Sequence, residues 1–325
     1  MQILANEFVF PIEPGLQCHA NYILPLPDGR VFCVFFYGSA EGNDDVRIFG
    51  CMRSTDGQWS HPEPLSENDG IPHWNPVLFR RSDGAVLLFY KVGKTISHWI
   101  TRCRISRDNC ASWEPSFELV PGDQSGGRGP VRNKPLCLSD GSILAPGSTE
   151  QGEWKCFFDR SRDGGCSWQR TEDIRLPQQL LQNYSDPAKH GIIQPSLWES
   201  SSGIHALLRS SEGFIFRTDS IDGASWSSPH PLQLPNNNSG LDLAPLSDGR
   251  IILCCNPVAE NWGSRTPISL YLSEDDGQTF RFLSHLNTTA GSEFSYPSVQ
   301  YHDGNLHISY TWNRKTIAYV RLTGL

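Results

Sequence analysis

Short polar turns followed by apolar runs recur along the whole chain: Ser82-Asp83-Gly84 leads into Ala85-Val86-Leu87-Leu88-Phe89, and Ser247-Asp248-Gly249 into Arg250-Ile251-Ile252-Leu253. The same pattern stands at Pro27-Asp28-Gly29, Ser139-Asp140-Gly141, Ser201-Ser202-Gly203 and His302-Asp303-Gly304, with successive glycines 55, 57, 62, 46 and 55 residues apart. Each turn predicts a β-hairpin, and the near-constant spacing predicts a repeat. A second series lies between the first turns. It reads Ser54-x-Asp56-Gly57-x-Trp59, Ser106-x-Asp108-x-Cys110-x-Ser112-Trp113, Ser161-x-Asp163-x-Gly165-x-Ser167-Trp168, Ser220-x-Asp222-Gly223-x-Ser225-Trp226 and Ser273-x-Asp275-x-Gly277-x-Thr279-Phe280, the aspartates 52, 55, 59 and 53 apart. In such a turn the carboxylate accepts backbone N–H bonds and the aromatic packs beneath a neighbouring strand, so these aspartates are structural.

Two hairpins per repeat make four strands, and six such units predict an all-β, six-bladed β-propeller of four-stranded antiparallel blades occupying residues 1–325 as one domain. The sixth repeat lacks the second motif. Its last strand, near Thr316-Ile317-Ala318-Tyr319-Val320, is short of partners, and Ile3 to Phe10 is expected to complete that sheet and close the ring.

Composition narrows the function. A net charge of −8 with no Lys/Arg-rich block argues against nucleic acid and anionic membranes as partners. The N-terminal residues lack a basic region followed by a long apolar stretch, which predicts a cytoplasmic protein. Ten cysteines are scattered through predicted strands, without a Cys-x-x-Cys pair, and read as buried thiols; no metal or other cofactor is expected. Cys254 and Cys255, neighbours in one strand, should face opposite ways.

The Ser-x-Asp-x-Gly-x-Thr-Trp series resembles the Asp-box, or BNR, repeats of the sialidase superfamily over nearly the whole chain. The segments Trp74 to Phe79, Asn133 to Pro135, Ile193 to Ser196 and Glu293 to Pro297 resemble a divergent bacterial sialidase-like subgroup. Both turn series fall on one face of the disk, because successive strands reverse direction, so function is expected on the other. About ten residues before each first-turn glycine lie polar segments that begin the innermost strands: His19-Ala20-Asn21, His73-Trp74-Asn75-Pro76, Arg132-Asn133-Lys134-Pro135, Ile193-Gln194-Pro195, Asn238-Ser239-Gly240 and Ser295-Tyr296-Pro297. The second strands return to that face with Tyr37, Lys91, Glu150, Arg209, Asn256 and Thr311, and loops add Glu41, Asp44, Asp45, Arg265, Trp312 and Arg314. A polar ring at a central channel fits a carbohydrate site.

A sialic acid carries a carboxylate on its anomeric carbon, so its enzymes need cations for that group and a nucleophile that tolerates negative charge; arginine and tyrosine suit these roles. The resemblance implies Arg209 and Arg265 as two of the family's three carboxylate-binding arginines, Tyr296 as the nucleophile, and Asp44 or Asp45 as acid/base, with Glu41 in reserve. The register departs from the family at three places. His19 stands for the first arginine, Gln194 for the glutamate that activates the tyrosine, and Thr311 near the glutamate that supports the first arginine. Glu293 or Glu150 is then expected to supply the missing carboxylate, and His19 and His73 to titrate near neutrality as acid or base. Asn75, Lys91, Asn133, Lys134, Asn238, Arg314 and Trp312 complete the expected substrate-binding set. The leading expectation is an exo-acting glycosidase for a terminal acidic sugar. The alternatives are a uronate lyase or glycosidase using His19 or His73 with Tyr296, and a glycan-binding propeller without catalysis; neither the sugar nor the oligomeric state is legible.

Overall fold

The computed structural model describes residues 1–181, 184 and 188–325. Six four-stranded antiparallel sheets form a six-bladed β-propeller. Blade one holds Gln17–Pro25, Val31–Gly38, Arg47–Arg53 and Glu63–Pro64, innermost strand first; blade two holds His73–Arg80, Val86–Val92, Ile100–Ser106 and Phe117–Glu118. The innermost strands of blades three to six are Leu136–Cys137, Ile192–Ser200, Asp242–Pro245 and Phe294–His302. Blade six takes its outermost strand from the other end of the chain: Gln2–Phe8 pairs antiparallel with Thr316–Thr323, Glu7 opposite Tyr319. The ring therefore closes as the repeat count required.

Period-two alternation explains how one sheet serves two interfaces. In the strand Val31–Gly38, Phe32, Val34 and Phe36 join Val77, Phe79, Leu87 and Phe89 of blade two, while Val31, Cys33, Phe35 and Tyr37 join Ile317 and Tyr319 of blade six. Cys254 and Cys255 likewise enter clusters on opposite sides of blade five; all ten cysteines are free thiols, but Cys137 and Cys166 are exposed rather than buried as expected. Each fully buried Phe, Leu or Val contributes about 1.5–3 kcal/mol, so these inter-blade layers dominate stability.

The second turn series does the structural work expected of it. Asp163 accepts from the backbone N–H groups of Cys166 (3.1 Å) and Ser167 (2.9 Å), and Asp108 from Ser112 (2.9 Å). The aromatics then lean onto the preceding blade: Trp226 stacks on Phe158 at 4.0 Å, Trp168 meets Phe89 at 6.2 Å, and Trp59 meets Tyr319 at 5.4 Å. All of these turns lie on one face, leaving the other to the inner-strand starts.

Candidate active site

Four of the innermost strands break register at their starts, between His19 and Tyr22, Trp74 and Val77, Ile193 and Ser196, and Ser295 and Ser298. At each bulge a non-glycine residue takes a left-handed backbone: Ala20 (φ 51°), Asn75 (φ 44°), Gln194 (φ 55°) and Tyr296 (φ 55°); Asn238 (φ 58°) does so just before the strand of blade five. That conformation costs of order 1–3 kcal/mol for an L side chain, and bulges re-aim side chains. Here they bring Gln194, Asn238 and Tyr296 from three blades onto one guanidinium.

Arg209, 3% exposed, donates Nε to Asn238 Oδ1 at 2.8 Å and Nη1 to both Gln194 Oε1 (3.1 Å) and the Tyr296 hydroxyl oxygen (3.0 Å). Its guanidinium lies 5.9 Å from the ring of Trp154 and 5.7 Å from that of Trp262, the latter 57% exposed at the mouth. Burial opposes ionisation of the Tyr296 phenol, but Arg209, Arg265 and the Gln194 hydrogen bond outweigh it and hold the group below its ordinary value of 10.0.

A second cationic pair closes the opposite side. Arg265 Nη1 meets Glu293 Oε1 at 2.9 Å, and Arg314 Nε meets the same carboxylate at 3.1 and 3.2 Å while Nη1 reaches Glu41. Glu293, expected as a base for the tyrosine, is instead spent between these arginines and Ser295 Oγ (3.1 Å). Arg314 stands beside His19, whose neighbour Cys18 donates its backbone N–H to the Arg314 carbonyl at 2.9 Å. Arg314 thus brings a cation from blade six to the side of His19.

The histidines differ from expectation. His19 is buried, bonds Thr311 Oγ1 through Nδ1 at 3.0 Å and packs on Tyr296 with ring centroids 4.2 Å apart. Burial, reinforced by Arg314, Arg265, Arg132 and Arg209, holds its imidazole neutral far below neutrality. His73 is buried against Ser66 Oγ (2.6 Å), and desolvation lowers it despite Asp69 at 3.3 Å. Both imidazoles are therefore held below the ordinary value of 6.5 on which the expectation of titration near neutrality rested.

Several expected binding residues are instead framework. Lys91 is fully buried, donating to Thr101 Oγ1 (2.7 Å) and the Arg128 carbonyl (2.8 Å), and burial pulls its ammonium down to about 7. Lys134 pairs with Asp242 at 2.9 Å, and Asn133 Nδ2 ties the Gln194 and Pro195 carbonyls at 3.1 and 3.0 Å. Trp312 packs on Phe8 of the closing strand at 5.2 Å. Asp45 caps a turn, accepting from Ser39 N (2.8 Å) and Oγ (2.7 Å), which hold its carboxyl below the usual range against burial. Asp44 is exposed, 3.9 Å from Lys94.

Two carboxyls face the cluster more closely. Glu41 reaches Arg314 and acts on Tyr296. Glu150 ends the second strand of blade three, has no hydrogen bond or ion pair among the described residues, and is pushed up by burial although Arg209 pulls it down. Asn75 opens onto the same face without a hydrogen-bond partner among the described residues. Arg132 escaped the sequence-based set although it heads one of the six polar segments. It is 1% exposed, donates Nη2 to the Pro297 carbonyl at 2.6 Å, and sits 5.1 Å from the Tyr296 ring centroid.

Comparison with known proteins agrees with this architecture. A protein of unknown function from Dyadobacter fermentans superposes with a TM-score of 0.77 at 13% identity, over 98% of both chains. The Hadza microbial sialidase Hz136 superposes with a TM-score of 0.76 at 12% identity, over 94% of this chain and 66% of that one. Trypanosoma rangeli sialidase, in complex with 2,3-difluorosialic acid as a covalent intermediate, gives 0.73 at 12% identity, over 98% of this chain and 59% of that one. The chain spans just under two thirds of the two sialidases, and the identities carry the fold alone. No curated protein sequence matches. The BNR repeat-like domain model matches residues 29–308. With five Asp-box turns and six closed blades behind that match, the chain belongs to the BNR repeat-like domain family, as a sialidase-like propeller.

Proposed function

We propose that the cluster around Arg209 and Tyr296 is the active site of an exo-acting glycoside hydrolase that removes a terminal acidic sugar, sialic acid or a related ulosonic acid. The observation that carries this reading is the Tyr296 phenol, held by Arg209 at 3.0 Å among further arginines, Arg265 and Arg314, that present charge to a carboxylate. At an anomeric carbon bearing a carboxylate, a tyrosine oxygen held among arginines serves as the nucleophile in place of an Asp or Glu. Glu150, pushed up by burial and unpaired, is the proton donor to the leaving oxygen. Trp262, exposed beside Arg209, offers an aromatic face to the sugar. The uronate-lyase reading loses its histidines, since both imidazoles are buried and weak as bases.

Incubation with aryl α-glycosides of sialic acid, Kdn and Kdo tests the reading. Release of the aryl alcohol is expected, with Tyr296→Phe lowering kcat/KM by roughly 10³-fold or more. Because an acid must hold its proton, the rate should fall as pH rises through the raised Glu150 pKa, and Glu150→Gln should erase that alkaline limb. Inactivity on all three substrates, or appearance of an unsaturated uronate from a polysaccharide, would refute the assignment.

A further inference from the structure

A phenol oxygen accepts hydrogen bonds and gives up one proton to an acceptor. The Tyr296 oxygen accepts from Arg209 Nη1 at 3.0 Å and from Gln194 Nε2 at 3.3 Å, and among the described residues nothing accepts its own proton. The amide cannot be turned round to provide that acceptor. Gln194 Oε1 takes a bond from Arg209 Nη1 at 3.1 Å, and reversal would set an NH₂ against a guanidinium.

Charge points the same way. Every side-chain acceptor of Arg209 is formally neutral: Asn238, Gln194 and Tyr296. Arg132 is buried with Nε and Nη1 unpartnered, and the carboxylate nearest in the channel, Asp242, is already held by Lys134 at 2.9 Å, by Ser196 Oγ at 2.7 Å and by the Val299 N–H at 2.8 Å. Arg265 and Arg314 share Glu293, and Arg314 also reaches Glu41. His19 lies against the ring as a neutral imidazole. Leaving buried guanidinium groups without an anion is costly. An anion at the Tyr296 oxygen would sit on Arg209 Nη1, with the Arg132 guanidinium 5.1 Å from the centroid of the same ring.

We infer that Tyr296 rests as a phenolate, ionised in advance by Arg209 and Arg265 with Arg132 against its ring, and that Gln194 serves as a hydrogen-bond donor to that oxygen where a general base would otherwise stand. Arg132 is then a positioning residue, acting on the nucleophile through charge. In the hydrolysis proposed above, on which the use of this anion rests, the phenolate oxygen bonds to the anomeric carbon as the glycosidic C–O bond breaks and the leaving oxygen takes the Glu150 proton. Water then attacks the same carbon, gives its proton to the Glu150 carboxylate, and expels Tyr296 again as phenolate. No proton leaves or returns to the tyrosine in the cycle.

The phenolate has its own ultraviolet absorbance, so the difference titration of wild type against Tyr296→Phe reads this one group without any substrate. A group that rests as phenolate is more than half ionised at neutral pH, so the expected midpoint lies below neutrality and well under the ordinary 10.0. Arg132→Met should raise it by about one pH unit or more, a tenfold change in the ionisation constant, and Arg132→Lys should keep most of the wild-type value. Gln194→Glu, an isosteric change that adds negative charge and an acceptor, should also raise it and serves if Arg132→Met fails to fold by circular dichroism. A wild-type midpoint above neutrality, or one unmoved by either Arg132→Met or Gln194→Glu in folded protein, overturns the inference. A low midpoint in a protein inactive on every acidic glycoside would sink the hydrolase reading alone; an ordinary midpoint in an active hydrolase would sink the phenolate alone.

Discussion

At the scale of single residues, Arg314 shows how a turn of blade six carries a cation over blade one. It occupies a left-handed hairpin turn with Asn313 (φ 54° and 52°), which sends the side chain back over blade one toward Glu41 and His19. If it binds the sugar carboxylate, Arg314→Met should raise KM for the acidic glycoside roughly 10- to 100-fold while kcat changes little, as initial rates would show. Arg209, Arg265 and Tyr296 were legible because each keeps a fixed distance from a turn. Arg314 was legible as a loop residue of the same face, without its ion pairs; Arg132 was not, since its relevance comes from convergence across the ring, which chain spacing does not encode. The histidines were misread for a related reason: their residue type announces titration near neutrality, and only burial of His19 and His73 removes it.

At the scale of the element, the Asp-box turn acts between blades as well as within them. Arg81 donates to the Gly164 carbonyl at 2.8 Å, Arg160 to Asp222 at 2.6 Å and Arg217 to Asp276 at 2.6 Å, each reaching from one blade to the box of the next. The aromatic of each box packs in the reverse sense. Truncating one, as in Trp226→Ala, should therefore loosen the contact between blades three and four and cost roughly 1–3 kcal/mol in denaturant unfolding, without changing KM. The hairpins and their turns were readable from period and turn chemistry. The left-handed bulges were not: Asn75 is of a type that tolerates φ > 0, but Ala20, Gln194 and Tyr296 carry no such local signal and are forced into it by the packing of inner strands around an axis. The inner strand of blade three also shrinks to Leu136–Cys137, since Pro130 and Pro135 remove backbone donors ahead of it.

At the scale of the whole molecule, stability hangs on one seam. Glu7 of the closing strand takes Arg53 Nε at 2.6 Å and the Trp59 indole N–H at 2.8 Å, tying blade six to the first Asp box. Deleting residues 1–8 should leave Thr316–Thr323 with an unpaired edge and Trp59 without its partner. Broadened unfolding and concentration-dependent association are expected in calorimetry and light scattering; a sharp, unchanged transition would show the seam to be dispensable. The same seam orders events in time. The strand Gln2–Phe8 emerges from synthesis ahead of the blades it helps to close and pairs with Thr316–Thr323, which emerges after them, so its Ile3 and Phe8, 62% and 47% exposed even in the finished ring, stay without their partner strand while the blades are made. Joining segments so distant in sequence carries a large loop-closure entropy, so final closure is expected to be slow. Gln194 and Tyr296 come from blades four and six, so the site chemistry waits for the last blade.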